Sequence, residues 1–506
     1  MAIEIGQRHY SVADVVAVAR HGEKVFLGED AVTRITQCRE FLEERVGSKE
    51  IIYGTNTGIG EFSEIVLEDA QLEDFQRYLV YNHAAGVGEP APIEHIRAAM
   101  FLRVLVQSKG FSGCRLELTQ CLVDMLNQGV CPVVCERGSV GACGDLAPLS
   151  QVALVLLGEG EAFYKGERLG GGEAMRRAGI KPCGLKVRDG LAVINGASVS
   201  AGIGALLVHD TGEWIRQAEI AAAMSLEALK ANLMPYEARI VELRGFAGAV
   251  DCSWNLRAMM QGSDLHDKVK PRVQDAYTMR STPQVIGTLR DHWRWCEEQM
   301  ITEINGVCDN PVFDAEAKRI YTGANFQGSP FSMPLDNLGA GITMVSVLSE
   351  RRLNRLLNPA LNGGLPAFLA KNPGYNSGFM LSQYTADAQI VEQKILSQPA
   401  FIQSIPAAAD QEDFVSMSMN SALKTAQILK LAQSIIGIEL LAATQGVELR
   451  GFTPGKGTKA AMQVVRKHVP LLDVDRPLHI DHEKMERLLK NGEILRSVEA
   501  EIGELR

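Results

Sequence analysis

The fold of this chain is decided by one segment, Gly138-Ser139-Val140-Gly141-Ala142-Cys143-Gly144-Asp145-Leu146-Ala147-Pro148-Leu149-Ser150. Its first seven residues include three glycines, and an aspartate precedes a helix-like apolar run. Taken alone, this pattern is typical of a tight turn followed by a helix that the aspartate caps. A phosphate-binding loop is the other local interpretation. The segment lacks the Gly-Lys-Ser/Thr ending of a P-loop and the spacing of a dinucleotide-binding turn.

The composition is that of an ordinary globular protein. Of 506 residues, 46% are hydrophobic and 22% are charged, with a formal net charge of −10. This acidic balance, without a cluster of Lys and Arg, argues against nucleic-acid binding and favours small-molecule chemistry. The N-terminus has no basic and apolar regions typical of a secretory signal. The uncharged stretch from Leu191 to Val208 contains Asn195, so a buried helix fits it better than a membrane span.

Cysteine and histidine usage indicates neither disulfides nor a metal site. The ten cysteines include no CxxC pair, which favours reduced thiols and a cytoplasmic location. The segment His479-Ile480-Asp481-His482 has the spacing of two metal ligands. Because no further ligand lies near it in sequence, we interpret it as the start of a helix and expect no metal.

The two parts of the chain differ in pattern. Residues 1–200 are interrupted by glycine and proline, and only short helices are expected there, at Leu72 to Tyr81 and Ile93 to Gln107. Residues 201–506 contain long stretches rich in Ala and Leu, which predict a bundle of long helices. The predicted long helices are Ala201 to Ala231, Thr288 to Asn305, Asp336 to Leu357 and Ser421 to Gly446. We therefore predict a mainly α fold with a smaller mixed α/β N-terminal portion.

Further polar or glycine-rich segments follow one another along the chain. They are Tyr53-Gly54-Thr55-Asn56-Thr57-Gly58, Asn82-His83-Ala84-Ala85-Gly86-Val87-Gly88, Ile194-Asn195-Gly196, Gln274-Asp275-Ala276-Tyr277-Thr278-Met279-Arg280, Asp309-Asn310-Pro311, Asn325-Phe326 and Gln411-Glu412-Asp413. Together with the Gly138–Ser150 segment, and in the same order, they resemble the histidine, phenylalanine and tyrosine ammonia-lyase family. The resemblance covers nearly the whole chain and implies that family's fold and an enzyme that eliminates ammonia from an aromatic-type amino acid.

In that family an Ala-Ser-Gly tripeptide cyclises into a methylidene-imidazolone electrophile, and the matching residues here are Ala142, Cys143 and Gly144. The nitrogen of Gly144 has to reach the carbonyl carbon of Ala142, and glycine leaves that approach unobstructed. Cys143 stands where the family has serine. A thiol can leave as hydrogen sulfide, so we expect the cofactor to form autocatalytically from this tripeptide.

The resemblance also implies the catalytic residues. Tyr53 is expected to remove the β-proton, which requires a phenol pKa below its reference value of about 10. Arg280 and nearby helix N-termini are the groups expected to lower it, and Arg280 is also expected to clamp the substrate carboxylate. Asn195 and Tyr277 are expected to donate hydrogen bonds to the ring oxygen of the electrophile.

The substrate is predicted from the groups that meet the ring. His83 and Glu412 form a combination typical of histidine-type members, and an imidazole offers one donor and one acceptor that a neutral histidine and a carboxylate can match. The leading expectation is therefore conversion of histidine to trans-urocanate and ammonia. The other expected substrate-binding residues are Asn82, Gln274, Asn310 and Phe326.

Other activities remain open at this point. Asn325-Phe326 resembles the phenylalanine type, and Gln383-Tyr384 is similar to tyrosine aminomutases, so a tyrosine or phenylalanine lyase or an aminomutase is the first alternative. If Cys143 does not cyclise, elimination of trimethylamine from a histidine betaine is the second. A family member without activity is the third. In every case the resemblance implies a homotetramer whose sites combine several subunits.

Overall fold

The structure is a computed structural model that describes residues 2–265 and 272–506. Most of these residues are helical, which confirms the predicted mainly α fold. The helices are α1 Val12–Ala19, α2 Glu29–Gly47, α3 Leu72–His83, α4 Ile93–Ser108, α5 Leu116–Gln128, α6 Leu146–Leu156, α7 Gly171–Arg177, α8 Asp189–Ile194, α9 Ser198–Ala228, α10 Ala238–Glu242, α11 Ala247–Met259, α12 Tyr277–Arg280, α13 Thr282–Asn305, α14 Ser329–Leu357, α15 Met380–Leu396, α16 Ser418–Arg450, α17 Lys456–His468, α18 His479–Lys490 and α19 Glu493–Ile502.

The strands are short and form small separate sheets. They are β1 Ile3–Ile5, β2 Val25–Leu27, β3 Val87–Pro90, β4 Cys131–Pro132, β5 Cys135–Arg137, β6 Glu161–Tyr164, β7 Glu167–Gly170, β8 Val312–Asp314 and β9 Arg319–Tyr321. Strands β1 and β2 pair in parallel. The pairs β3–β5 and β8–β9 and the three-stranded sheet β4-β6-β7 are antiparallel. Most strands precede α7, as expected for a mixed N-terminal portion.

All four long helices begin three to seven residues earlier than predicted, and α9 ends at Ala228, before the predicted end at Ala231. The helix predicted from Thr288 begins at Thr282, and the one predicted from Asp336 begins at Ser329. In both helices the second residue is a proline. Proline is tolerated in the first turn of a helix because the N–H groups there have no partner within the helix. The segment His479-Ile480-Asp481-His482 opens α18, which confirms the predicted helix start.

The chain divides into two compact units. The first consists of residues 1–209, 296–336 and 399–423, and the second of residues 210–295, 337–398 and 424–506. In the first unit, α4 is buried along almost its whole length although it carries Arg97 and Arg103. These guanidiniums satisfy backbone carbonyls and, for Arg103, the carboxylate of Asp309 at 2.8 Å. Both buried arginines of α4 therefore have hydrogen-bond partners, which offset the cost of burying their charge.

The second unit is organised around two buried carboxylates. Glu219 accepts two hydrogen bonds from Arg290, at 2.7 and 2.8 Å. Glu439 likewise accepts two from Arg352, at 2.6 and 2.9 Å, and further bonds from Ser225 and Ser349. These bidentate arginine–carboxylate pairs fix the register of the helices that carry them.

One helix of the described residues, α16, is long and apolar enough to cross a membrane by composition. The most apolar window of that helix is 72% buried inside the protein, as in the core helix of a globular protein. No cluster of three or more metal-ligating side chains is found in the described ranges.

Candidate active site

The first unit encloses a cavity of about 360 Å³ that brings together six of the predicted site residues. The wall is formed by the Tyr53 loop, the end of α3, the loop before α6 with the start of that helix, α8 with the residue after it, and the loop around residue 410. The predicted site residues on this wall are Tyr53, Asn82, His83, Cys143, Asn195 and Glu412. Ala142 and Gly144 flank Cys143 in the chain, so the whole tripeptide lies at this cavity.

A close backbone approach fixes the tripeptide. Gly144 and Gly196 form a parallel β-bridge, in which the N–H of Gly196 donates to the carbonyl of Cys143 at 3.1 Å. The N–H of Asp145 donates back to the carbonyl of Gly196 at 2.8 Å. Gly144 has a φ of +76°, and a Cβ there would lie 2.1 Å from the carbonyl carbon of Gly196. Only glycine fits at this position.

The preceding loop is anchored on its other side. Gly141 has a φ of +72°, and a Cβ there would lie 2.1 Å from the hydroxyl of Ser416. That hydroxyl donates to the carbonyl of Gly141 at 3.1 Å, and the N–H of Met417 donates to the carbonyl of Val140 at 2.9 Å. The methyl group of Ala142 packs against a cluster that includes Met417. The tripeptide is thus held from both sides before any chemistry occurs.

Asp145 does not cap α6 through its side chain, which corrects the local interpretation of this segment. It occupies the N-cap position of α6, but its carboxylate accepts hydrogen bonds from Ser139 and from the N–H and hydroxyl of Ser200, at 2.7–2.9 Å. Burial raises the pKa of this carboxyl above its ordinary value although these donors oppose the shift. Asp145 therefore ties the tripeptide loop to the start of α9.

Cys143 donates a hydrogen bond from its thiol to Oε1 of Glu412 at 3.0 Å. Burial raises the pKa of this thiol well above its ordinary value, and the carboxylate of Glu412 raises it further. The sulfur is therefore held in its protonated form. Residues 408–410 of the loop that carries Glu412 all have positive φ, from 50° to 64°.

Tyr53 begins a loop whose glycines are required by close contacts. A Cβ at Gly54 would lie 2.4 Å from the side chain of Leu191, and one at Gly58 would lie 2.5 Å from the carbonyl of Phe62. The Tyr53 hydroxyl accepts a hydrogen bond from the N–H of Gly60 at 3.0 Å.

The expectation of a lowered Tyr53 pKa is wrong for this chain. Burial raises the pKa of the phenol above its ordinary value, and the neighbouring acidic groups Cys143 and Glu412 raise it further, because a second negative charge beside them in a poorly hydrated site is disfavoured. The N–H of Gly60 and the guanidinium of Arg188 oppose this shift without cancelling it.

Asn195 ends α8, and its backbone carbonyl accepts a 2.6 Å hydrogen bond from the buried guanidinium of Arg103. Its side-chain Oδ1 is buried without a hydrogen-bond partner. A buried amide oxygen without a partner is costly, so this side chain is arranged for a group that the chain itself does not supply. The glycine-only approach at Gly144 fits a cyclised tripeptide, and the buried Oδ1 of Asn195 beside it offers an acceptor to an N–H of a bound ligand.

His83 is the last residue of α3, and its Nδ1 lies 2.8 Å from the carbonyl oxygen of Leu79. Since a carbonyl only accepts, Nδ1 carries the proton and neutral His83 offers Nε2 as an acceptor. The expectation that neutral His83 and Glu412 match both nitrogens of an imidazole is therefore incomplete, because both groups accept. Asn82, next to His83 on the cavity wall, has the amide that can donate.

Five predicted residues do not line this cavity. Asn310 is buried, and its side chain accepts from the N–H of Gly323 at 2.8 Å; Phe326 is partly buried. Gln274, Tyr277 and Arg280 belong to the second unit. There the guanidinium of Arg280 lies 4.5 Å from the ring centroid of Tyr277, which is 71% exposed.

Buried arginines beneath the site were not predicted from the sequence. Asp309 accepts from Arg103 and from Arg188, each at 2.8 Å, and all three side chains are buried. Arg103 also supports the backbone of Asn195, while Arg188 lies near enough to Tyr53 to affect its pKa. The sequence could have indicated them through Arg103, which lies inside the apolar run Ile93 to Gln107. A charged residue in an apolar helix implies a buried partner of opposite charge.

Comparison with known proteins agrees with this geometry. The family model described as aromatic amino acid lyase matches residues 10–467. A histidine ammonia-lyase from Alkaliphilus oremlandii is 42% identical over 98% of each chain. Among solved structures, tyrosine aminomutase from Streptomyces globisporus has a TM-score of 0.95 and 34% identity over 100% of both chains. The ergothioneine-degrading enzyme ergothionase from Treponema denticola has a TM-score of 0.93 and 27% identity, covering 98% of this chain and 100% of that one.

The family model matches most of the chain, and the histidine ammonia-lyase is similar over nearly its whole length. These two findings establish the family of this chain. The chain belongs to the aromatic amino acid lyase family and is a carbon–nitrogen lyase.

Proposed function

We propose that this protein eliminates ammonia from histidine and releases trans-urocanate. The observation that carries the proposal is the pairing of His83 and Glu412 on one cavity wall with Tyr53 and the tripeptide. A carboxylate and an imidazole are costly to bury beside an apolar ring, whereas an imidazole substrate donates its N–H to one of these two acceptors. The identity to a histidine ammonia-lyase over nearly the whole chain supports the same substrate.

The Ala142-Cys143-Gly144 tripeptide is proposed to form a methylidene-imidazolone, which supplies an electrophilic alkene when present. Asn195 lies on the same cavity wall and would donate to the ring oxygen of that group through its side-chain NH2, which leaves the unpaired Oδ1 to accept from the substrate. Glu412 orients the imidazole of the substrate through an N–H, and the amide of Asn82 donates to the remaining ring nitrogen. Glu412 is freed for this task once the Cys143 thiol has left, because the thiol occupies one of its oxygens beforehand.

Tyr53 is proposed to remove the β-proton through its hydroxyl oxygen. Its raised pKa means that the phenolate is scarce near neutrality, so the proton has to leave Tyr53 before or as substrate binds. Gly60 already donates to this oxygen and stabilises the developing phenolate. Gln274, Tyr277 and Arg280 are proposed to bind the substrate carboxylate and the electrophile, and Asn310 and Phe326 to support the substrate pocket.

We also propose a cytoplasmic homotetramer in which several subunits contribute to each site. Tyr277 with Arg280 stacked on its ring is an exposed aromatic–cation pair of the kind that subunit interfaces bury. Light scattering of the purified protein tests this proposal, and a monomer would overturn it.

The experiment for the reaction incubates the purified chain with histidine, tyrosine or phenylalanine. Ultraviolet-absorbing acrylate and free ammonia are both measured. We expect urocanate and ammonia from histidine, and no more than trace product from the other two. Cinnamate or coumarate in place of urocanate would overturn the substrate, and a β-amino acid without released ammonia would indicate an aminomutase, the reaction named for a solved structure of the same fold.

A second candidate follows from the thiol of Cys143. If that thiol is retained, the cavity still presents Tyr53 and a carboxylate, which suffice to eliminate a leaving group that needs no activation. The substrate would then be a histidine betaine that loses trimethylamine, and the similarity to ergothionase belongs with this candidate. Release of trimethylamine from histidine betaine, together with no product from histidine, distinguishes it.

A further inference from the structure

A second cavity of the first unit, of about 480 Å³, lies away from the proposed catalytic residues. It is lined by α5, by the segment 181–183 and by Val32 of α2. Two thiols belong to this lining, Cys121 on α5 and Cys183 in the segment between α7 and α8. Neither is used by the reaction proposed above.

The two thiols are neighbours in the lining of this cavity. Each lies close enough to affect the pKa of the other, and the thiol of Cys183 also donates to the carbonyl of Leu156 at 3.9 Å. Cys183 is partly exposed and Cys121 is 4% exposed, and both belong to the lining of the cavity. Two cysteines that are 62 positions apart in sequence are thus adjacent in space.

The environment favours one thiolate in this pair. Hydrogen bonds from the thiol and the N–H of Cys183 lower the pKa of Cys121 although burial opposes the shift. Loss of the first proton raises the pKa of Cys183, as expected when two acidic groups share one proton. The guanidinium of Arg115 and the ammonium of Lys181 line the same cavity, facing the carboxylates of Glu117 and Asp124. A thiolate with an adjacent second thiol is the arrangement that exchanges with disulfides.

We propose that Cys121 and Cys183 form a redox-active pair that closes to an intramolecular disulfide by exchange with a small-molecule disulfide entering this cavity. The Cys121 thiolate attacks one sulfur of the small disulfide, whose S–S bond breaks and releases one thiolate. Cys183 then attacks the Cys121 sulfur of the mixed disulfide and releases the second thiolate. Two protein thiols are oxidised, one small disulfide is reduced to two thiols, and the two protons go to the released thiolates.

The pair lies beside a support of the proposed catalytic site. The guanidinium of Arg115 donates to the backbone carbonyl of Gly184 at 3.0 Å and to the carboxylate of Asp189 at 2.6 Å. Asp189 is the first residue of α8, the helix that ends at Asn195. Arg115, in the lining of the same cavity as the pair, therefore contacts the first turn of the helix that leads to Asn195.

The test uses the full-length purified protein, reduced and then freed of reductant, with oxidised glutathione as the probe. After incubation, remaining thiols are alkylated and the protein is analysed by intact mass and peptide mapping. We expect loss of two hydrogens without a retained glutathione, a cross-linked Cys121–Cys183 peptide, and a fall in alkylation of both thiols by at least about tenfold. Full alkylation of both thiols after incubation would overturn the proposal.

Three serine variants separate the roles. The C183S protein should retain one glutathione on Cys121, because the second thiol that releases it is gone. The C121S protein should acquire none on Cys183; an adduct there at an equal rate would overturn the order of attack. Cys135, also partly exposed, hydrogen-bonds to the amide of Gln151. The C135S protein should therefore form the Cys121–Cys183 disulfide like the unmodified chain. If a variant fails to fold, the peptide map of the unmodified protein still decides the proposal.

Discussion

Replacing Gly144 by alanine should damage this protein in two separable ways. The new Cβ would lie 2.1 Å from the carbonyl carbon of Gly196, 2.3 Å from its oxygen and 2.6 Å from the nitrogen of Ala197. All three are backbone atoms, so no side-chain rotation relieves the clash. The backbone would also be strained, because φ is +76° at this position.

The magnitude follows from these two causes. A left-handed conformation costs a non-glycine residue about 1–2 kcal/mol. Forcing an additional methyl group into a packed site costs about 1–3 kcal/mol more. Gly129 provides a matched control, since it has a φ of +77° and no atom within 4 Å of an added Cβ. The G129A variant should therefore lose the first amount only, and G144A should lose both.

Thermal unfolding monitored by circular dichroism measures the difference, and the intact mass of each variant measures cyclisation. We expect G144A to unfold at a lower temperature than G129A and to keep the full mass of its sequence, while G129A weighs less than its own sequence by the same hydrogen sulfide and water as the parent. Equal unfolding temperatures would refute the packing argument. A G144A chain that has lost hydrogen sulfide and water would refute the claim that cyclisation requires glycine here.

Three further variants test the site. Tyr53→Phe should lower kcat by about 10²–10⁴-fold and leave the loss of hydrogen sulfide and water from the tripeptide unchanged. Because the pKa of the phenol is raised, kcat/KM of the parent should increase with pH above neutrality, and a flat profile would argue against Tyr53 as the base. Glu412→Gln should lower kcat/KM for histidine by roughly 10–100-fold, because it weakens one hydrogen bond to a charged group. The control Glu61→Gln, on the same cavity wall, should change kcat/KM little. Equal effects of the two variants would contradict the role assigned to Glu412. Asp309→Asn should destabilise the protein by about 3–5 kcal/mol, because it leaves buried arginines unpaired. The control is Asp314→Asn, at a partly exposed position. An Asp309→Asn protein that unfolds at a temperature no lower than the control would refute this prediction.

The sequence predicted the composition of the cavity wall better than its electrostatics. Tyr53, His83, Cys143 and Glu412 come from four distant segments, and motif order alone placed them in one site that the structure also brings together. The tautomer of His83 depends on the carbonyl of Leu79 one turn earlier in its helix, which no motif describes.

The raised pKa of Tyr53 likewise depends on tertiary burial and on the anions that folding places beside it. The same reason explains the unexpected role of Asp145. Its position before an apolar run predicts a helix cap, but Ser200, 55 residues later in the chain, supplies stronger donors. Helix starts were predicted too late where proline occurs in a first turn, as in α13 and α14, because local propensity penalises proline regardless of position.

The intact mass of the purified, unmodified chain tests the central claim most directly. A chain in which Ala142-Cys143-Gly144 has cyclised weighs less than its sequence by one hydrogen sulfide and one water, with the loss mapping to the peptide that contains Cys143. This is the predicted result, and it should accompany release of ammonia from histidine. A chain with the full sequence mass and an alkylatable thiol at Cys143 would contradict the account and leave the electrophile-free elimination as the surviving candidate.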